Sequence, residues 1–137
     1  MAHWLMKSEP GSWSWTQQVE AGHAGTSWNG VRNHSAKLHL MDMKLGDQAF
    51  FYHSNEGKEI VGIVEVIKLF YPDPTDKSGK FGMVDVRAVK GLPHPVSLAT
   101  AKTEPALRNM ILVNNSRLSV QPVTAAEWAR VCALGGL

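Results

Sequence analysis

The stretch Gln48-Ala-Phe-Phe-Tyr-His-Ser54 leads through Asn55-Glu-Gly-Lys58 into Glu59-Ile-Val-Gly-Ile-Val-Glu-Val-Ile-Lys-Leu-Phe70. Both long segments are rich in β-branched and aromatic residues, and the polar connection with its glycine is typical of a β-hairpin. In the second strand, strict alternation places Val61 and Ile63 on one face and the even-numbered residues on the other, so both faces are mostly apolar. We therefore predict a hairpin at the centre of a sheet that forms a barrel or is covered by helices.

Shorter segments on both sides of this hairpin predict an α+β domain with five or six mainly antiparallel strands and a curved sheet. The additional strands are predicted at His3 to Lys7, Gly82 to Val89, Ile111 to Val113 and Leu118 to Gln121. Helices are predicted after Ser14, which forms a capping box with Gln17, over Ser35 to Met43 with Asn33 as N-cap, near Ser97 to Ala101, and over Ala125 to Leu134 with a capping box of Thr124 and Glu127.

Composition indicates a single globular domain over residues 1–137. Apolar residues make up 44% and charged residues 19% of the chain, and 14 Lys and Arg against 12 Asp and Glu leave a net charge of only +2. Such a charge excludes a broad basic surface, so any nucleic acid has to be held locally. The single Cys132 excludes an internal disulfide and a four-thiolate zinc site. We expect a cytoplasmic protein without a secretory signal and without membrane contact.

The segment Trp28-Asn-Gly-Val-Arg-Asn33 combines an aromatic face with directional donors. A heterocycle can stack on Trp28, while Arg32 and Asn33 can supply hydrogen bonds at the start of a predicted helix, where carbonyl oxygens and anions are favoured. Val31 lies directly before Arg32 and is a further candidate for the pocket lining. The alternative is that Trp28 is an ordinary core residue. Because the aromatic and the donors occur together, we predict a pocket for a flat ligand with polar edges, and a nucleobase fits that description.

Two polar residues follow the first predicted strand. Ser8 and Glu9 precede Pro10, which ends the strand, so both side chains project from its end. A carboxylate there can accept a hydrogen bond from an exocyclic amine, as it does from the amino group of cytosine. The alternative for Glu9 is a solvated or ion-paired side chain.

Later polar residues are weaker candidates for the same pocket, each with a structural alternative. His53 and Ser54 stand at a strand end, where a histidine is often a structural hydrogen-bonding group. Tyr71 and Asp73 could close a pocket wall, or Asp73 could form a turn with its own backbone. The remaining candidates are Arg117, Leu118 and Ser119, with a surface arginine as the alternative.

Signatures of catalysis and of metal binding are mostly absent. There is no phosphate-binding glycine loop and no nucleophile elbow, and His34 and His39 are five residues apart, which is the wrong spacing for two ligands on one helical face. Glu9 and His53 could form an acid/base pair only if folding brought them together. The residues therefore favour binding over catalysis, with no catalytic residue, no cofactor and no metal.

Six motifs in the same order resemble the EVE domain family over nearly the whole chain. They are Trp4-Leu-Met-Lys-Ser-Glu-Pro10, Trp28-Asn-Gly-Val-Arg-Asn33, Gly46-Asp47 with Phe50-Phe-Tyr-His-Ser54, Gly62-Ile-Val-Glu-Val66, Tyr71-Pro-Asp-Pro74 and Ser116-Arg-Leu-Ser-Val-Gln-Pro-Val123. The resemblance implies a PUA-like fold, a strongly curved β pseudo-barrel of about six strands flanked by helices and related to YTH and ASCH domains.

The same resemblance implies a reader of modified bases. Its expected ligands are 5-methylcytosine or its oxidised forms in DNA, or a modified base in RNA, presented single-stranded or flipped out. Trp28 would be the stacking wall, with Ser8 and Glu9 as the polar edge. Related readers carry a second tryptophan on a later strand, but Met83-Val-Asp-Val86 has none. Either Tyr71, His53 or Leu118 is therefore expected to complete the enclosure, or the enclosure stays open. A nucleotide- or nucleic-acid-processing enzyme and a binder of a free nucleoside-like metabolite remain alternatives.

Overall fold

The computed structural model describes residues 1–115 and 117–137, so Ser116 of the last sequence motif lies outside the described residues. The strands are β1 (His3–Ser8), β2 (Thr26–Ser27), β3 (Gln48–His53), β4 (Glu59–Pro72), β5 (Gly82–Ser97) and β6 (Val120–Val123). The helices are α1 (Trp15–Glu20), α2 (His34–Asp42), α3 (Leu98–Thr103), α4 (Ile111–Asn114) and α5 (Ala125–Leu134), with 3₁₀ turns at Gly22–Ala24 and Pro105–Leu107.

These six strands form one mixed sheet in the order β2, β5, β4, β3, β1, β6. β1 and β3 run parallel, and the other four neighbouring pairs are antiparallel. Among the described residues β2 and β6 stand at the two edges, so the sheet is not closed into a barrel. The prediction of about six mainly antiparallel strands flanked by helices is confirmed.

Two apolar cores pack against the sheet. One gathers Trp28, Phe51 and residues of α2, and the other gathers Phe50, Tyr52 and residues of α3 and α5. Because Phe50 and Phe51 are adjacent on β3, their side chains enter different cores, as the two-residue period of a strand requires. The sheet therefore carries apolar side chains on both faces, as the composition of the central hairpin predicts.

The prediction that side chains alternate strictly between the two faces along β4 is wrong. Val61 lies in the same core as Val64, whereas Ile63 lies in the other core. The register against β5 shifts between Ile60 and Gly62 and again between Ile63 and Val64. Irregularities of this kind insert extra residues into a strand and change which face the following side chains occupy, so Val61 and Ile63 do not share a face.

Local capping signals are confirmed at three helices. Ser14 and Gln17 exchange both hydrogen bonds of a capping box at α1, and Thr124 and Glu127 do the same at α5. The Asn33 side chain accepts from the Ala36 N–H at 2.9 Å and begins α2. In the described residues no helix combines the length and the apolar character needed to cross a membrane.

The region after β5 departs most from prediction. The strand predicted at Ile111 to Val113 is helix α4, because three apolar residues are too few to separate a strand from a helical turn. The strand predicted at Leu118 to Gln121 begins two residues later, at Val120, and pairs with β1 at the sheet edge, where Pro122 is tolerated. β5 extends to Ser97, well past the predicted end, and the two-residue β2 carries no sequence signal.

Candidate functional site

A cavity of about 550 Å³ opens at the end of β1. Its lining includes two segments that are distant in sequence, residues 7–9 with 12–13 and residues 26–30. The first segment is the end of β1 and the turn after it, and the second is β2 with the loop that follows. Pockets of roughly 300–1,000 Å³ hold small organic ligands, so the cavity has room for one flat ring system.

Trp28 forms one wall and is also part of the core. Its backbone N–H donates to the Val84 carbonyl at 2.8 Å, and its side chain is only 7% exposed. Its ring meets Phe51 edge to face, with centroids 5.5 Å apart and planes at 89°. The functional and structural interpretations of Trp28 are therefore compatible, because the same residue packs in the core and lines the cavity.

Trp13 forms a second aromatic wall, which the sequence-based reasoning missed. Its indole N–H donates to Gln18 Oε1 at 2.8 Å, and its carbonyl accepts from the Ser8 hydroxyl at 2.5 Å. Gln18 is fully buried and donates in turn to the Val86 carbonyl at 3.3 Å. The available signal was the short distance in sequence from the strand end at Ser8, across the Pro10-Gly11 turn, to a tryptophan just before the α1 capping box.

Glu9 and Asn29 supply the free polar edge of the cavity. The Glu9 carbonyl accepts from the N–H groups of Ser12 and Trp13, both at 2.9 Å, and this closes a tight turn. The side chains of Glu9 and Asn29 are exposed, and within the described residues neither side chain makes a hydrogen bond or an ion pair. The Ser8 hydroxyl, by contrast, is occupied by the Trp13 carbonyl. Burial lowers the pKa of Lys7, which also lines the cavity.

Asp73 organises the outer side of the Trp28 loop. Its buried carboxylate accepts from the Gly30 N–H at 2.8 Å, from the Arg32 guanidinium at 3.1 Å and from the Thr75 N–H at 2.8 Å. Burial opposes ionisation, but the hydrogen bonds from Thr75, Gly30 and Arg32 outweigh it and lower the pKa to about 2. Asp73 thus forms the turn that was its structural alternative in the sequence analysis. Arg32 forms an ion pair with Asp73.

Asn33 and Val31 have structural positions in the same loop. The Asn33 side chain caps α2, and Val31 is buried in the core beside Trp28. The Tyr71 hydroxyl donates to Asp85 Oδ1 at 2.5 Å and lies 3.2 Å from the Ser27 hydroxyl on the cavity wall. Burial, followed by the hydrogen bond to Asp85, raises the Tyr71 pKa.

His53 and Ser54 lie at the end of β3 but are turned to different surroundings. His53 Nε2 accepts from the Trp15 N–H at 3.0 Å, and burial lowers the pKa of its imidazole, with an opposing effect from Glu59. Ser54 lines a smaller cavity of about 220 Å³ together with Tyr52. Because the Nε2 lone pair of His53 is already occupied, the geometry gives Glu9 no ready acid/base partner there.

The segment before β6 runs beside the cavity. The Lys7 N–H donates to the Ser119 carbonyl at 2.9 Å, Leu118 is buried in the Trp28 core, and Arg117 is exposed. Within the ranges that the structure describes, no group of three or more His, Cys, Asp or Glu side chains is placed to hold a metal ion.

Comparison with known proteins gives a consistent result. The family model of the EVE domain matches residues 2–134. A solved structure from Rhodopseudomonas palustris is 64% identical, with a TM-score of 0.94, and the match covers 99% of this chain and 94% of that one. Human thymocyte nuclear protein 1, solved in complex with DNA that contains 5-methylcytosine, is 35% identical with a TM-score of 0.91, over 100% of this chain and 99% of that one.

A more distant neighbour is the YTH domain of the Zygosaccharomyces rouxii MRB1 protein, solved with N6-methyladenosine RNA. It is 20% identical with a TM-score of 0.59, over 99% of this chain and 87% of that one. At this identity the likeness concerns the fold alone. With the human neighbour it confirms the predicted PUA-like fold.

Proposed function

The chain belongs to the EVE domain family, and from that premise we propose that it is a non-catalytic reader that holds one modified nucleobase in the cavity between Trp13 and Trp28. The expected bases are 5-methylcytosine or its oxidised forms in DNA, or a modified base in RNA. The observation that carries the proposal is the cavity itself, which is lined by two tryptophans from separate loops together with the polar residues Glu9 and Asn29.

Two further observations support this function. The human relative of the same fold was solved with DNA that contains 5-methylcytosine. The free carboxylate of Glu9 is suited to accept a hydrogen bond from an exocyclic amine, which cytosine and adenine carry and thymine lacks. The remaining predicted residues, Arg32 among them, would then support the cavity or contact the strand outside it.

Energetics indicate the form in which the base arrives. Stacking on an aromatic side chain contributes about 1–3 kcal/mol per base, whereas extrusion of a paired base costs a few kcal/mol. Single strands, or positions where pairing is already weakened, are therefore expected to bind best. Burial of one methyl group adds about 0.8 kcal/mol, roughly a fourfold preference over the unmodified base.

The five tryptophans provide a direct test of this site. We would titrate the ¹⁵N-labelled protein with single strands that carry cytosine, 5-methylcytosine, 5-hydroxymethylcytosine or N6-methyladenine, and follow the indole N–H signals by NMR. Ligand in the cavity should shift the signals of Trp13 and Trp28 and leave Trp128, which stacks on Phe50 in the other core, unchanged. Equal small shifts at all five indoles, or shifts produced only by free nucleosides, would argue against a reader of nucleic acid.

A further inference from the structure

Two cations are gathered over one aromatic ring beside the cavity. The Arg32 guanidinium carbon lies 5.8 Å from the centroid of the Phe81 ring, and Lys37 Nζ lies 6.0 Å from the same centroid. These distances are within the range of a cation–π contact. We call Arg32, Lys37 and Phe81 the Phe81 cluster. It joins the loop after β2, helix α2 and the connection between β4 and β5.

The Phe81 cluster is physically connected to the cavity wall. Arg32 and Gly30 both donate to the same Asp73 oxygen, at 3.1 and 2.8 Å, and Gly30 lines the cavity. A strand whose base enters the cavity therefore has the cluster next to it on the side of the Trp28 loop.

The loop that leads to Phe81 carries charges of both signs. It contains exposed Lys77 and Lys80 together with Asp73 and Asp76, and the Asp76 carboxylate accepts from the Phe81 N–H at 2.8 Å.

Lys37 differs from Arg32 in its contacts. Within the described residues it makes no ion pair and no side-chain hydrogen bond, and the first turn of α2 contains no acidic residue. Arg32, in contrast, is held by Asp73 and by Thr75 Oγ1 at 2.9 Å. Arg32 and Lys37 are both cationic and lie within 6.0 Å of the same ring centroid, so both head groups attract an anion that approaches the cluster.

From this arrangement we propose that the Phe81 cluster binds the phosphodiester backbone next to the base held in the cavity. The inference rests on the proposed reader function and assigns the neighbouring phosphate to a separate surface. The cluster contacts no base edge in this role, so its contribution is the same for every base in the cavity. It is also sensitive to salt, because cations that neutralise phosphates release counterions.

A fluorescence anisotropy titration with two labelled single strands separates this role from base reading. One strand carries 5-methylcytosine at its centre, and the other has an abasic site there and offers only its backbone and flanking bases. Each is measured from 50 to 200 mM salt with the wild type, Lys37→Gln, Lys37→Arg, Phe81→Leu and a matched control, Lys102→Gln, which removes an exposed lysine of α3 in the layer of the other core.

Lys37→Gln should lower the affinity for both strands by the same factor, about fivefold at low salt. It should also reduce the magnitude of the slope of log K against log salt by about 0.7. Phe81→Leu should change affinity in the same direction, whereas Lys37→Arg and Lys102→Gln should behave like the wild type. Equal affinities and slopes for Lys37→Gln and Lys102→Gln, or no binding of either strand, would overturn the proposal. A different result separates the two proposals. If Lys37→Gln weakens the binding of both strands, but the strand with 5-methylcytosine binds no more tightly than the abasic strand, the phosphate-binding role of the cluster is supported and the proposed base-reading function is wrong.

Discussion

The Asp73 carboxylate accepts the backbone N–H of Gly30 at 2.8 Å, across 43 residues of sequence. Gly30 has a φ of 84°, in the left-handed region that favours glycine, and it lines the cavity directly after Trp28 and Asn29. A buried carboxylate from the end of β4 thus fixes the turn that carries the aromatic wall. Asp73 is a positioning residue for the cavity, with its oxygens occupied by protein donors.

Replacement of Asp73 by Ala should loosen this turn. The change leaves the Gly30 N–H and the Arg32 guanidinium without their acceptor, and the loss of hydrogen bonds to a buried charge costs roughly 3 kcal/mol. We expect faster amide hydrogen exchange at Gly30 and a lower free energy of unfolding, both measured against Asp42→Ala, which alters an exposed carboxylate at the end of α2. Unchanged exchange at Gly30 would show that Asp73 does not hold the loop.

The His53 imidazole should make stability depend on pH. Burial lowers its pKa below the ordinary 6.5, and its neutral Nε2 accepts the Trp15 N–H. The folded state therefore binds fewer protons than the unfolded state, so this contribution is complete above pH 6.5 and is lost as the pH falls through the folded pKa.

Chemical denaturation between pH 7.5 and 5 tests this sign. The wild type should lose stability over that interval, and His53→Gln, whose amide oxygen can still accept from Trp15, should lose less. His34→Gln, at the exposed start of α2, serves as the control and should follow the wild type. A steeper loss in His53→Gln than in the wild type would contradict the assignment.

Gly62 should tolerate no side chain, because Trp15 lies directly against it. A Cβ at this position would overlap the Trp15 ring, which itself packs edge to face on Phe51 with centroids 5.3 Å apart. Gly62→Ala should therefore destabilise the fold by about 1–3 kcal/mol in thermal or chemical denaturation. Gly11→Ala, where a Cβ would meet nothing within 4 Å, should change stability little. Equal stability of the two variants would mean that Trp15 does not occupy this position.

Glu9 should determine preference among base edges. Its free carboxylate can accept from an exocyclic amine, and loss of a hydrogen bond of this kind costs roughly 1–2 kcal/mol. In a competition assay, Glu9→Ala should lower the affinity for strands with a modified cytosine. Its affinity for strands with thymine at that position should be almost unchanged. Glu56→Ala, in the exposed β3–β4 turn, is the matched control. An equal loss for both bases would assign Glu9 a general role in the turn.

Local chemistry made part of this molecule predictable from its sequence. The caps at Ser14, Asn33 and Thr124 depend on residues within three positions, and all three are confirmed. The central hairpin also followed from composition and a glycine turn. The placement of Trp28 beside a cavity was suggested by its immediate neighbours, which share one loop.

Features that depend on the sheet as a whole were not predictable. Val61 and Ile63 enter different cores because β4 shifts register against β5, and no local pattern marks such a shift. Trp13 lines the cavity because the turn closed by Ser8 and Glu9 brings it there. The sequence instead predicted that Tyr71, His53 or Leu118 would complete the enclosure. Arg32 was predicted from its chemistry, but its pairing with Asp73 required two segments to meet in three dimensions.

Calorimetry tests most directly whether Trp28 holds the base. The affinities of the wild type, Trp28→Phe and Trp128→Phe would be measured for one single strand that carries either 5-methylcytosine or cytosine. Trp28→Phe keeps an aromatic ring in the core but reduces the stacking surface, whereas Trp128→Phe makes the same change where the indole stacks on Phe50, away from the cavity. We predict that the wild type and Trp128→Phe bind 5-methylcytosine about fourfold more tightly than cytosine, and that Trp28→Phe binds at least about fivefold more weakly. Identical affinities for all three proteins, with both variants folded, would contradict the claim that Trp28 holds the base.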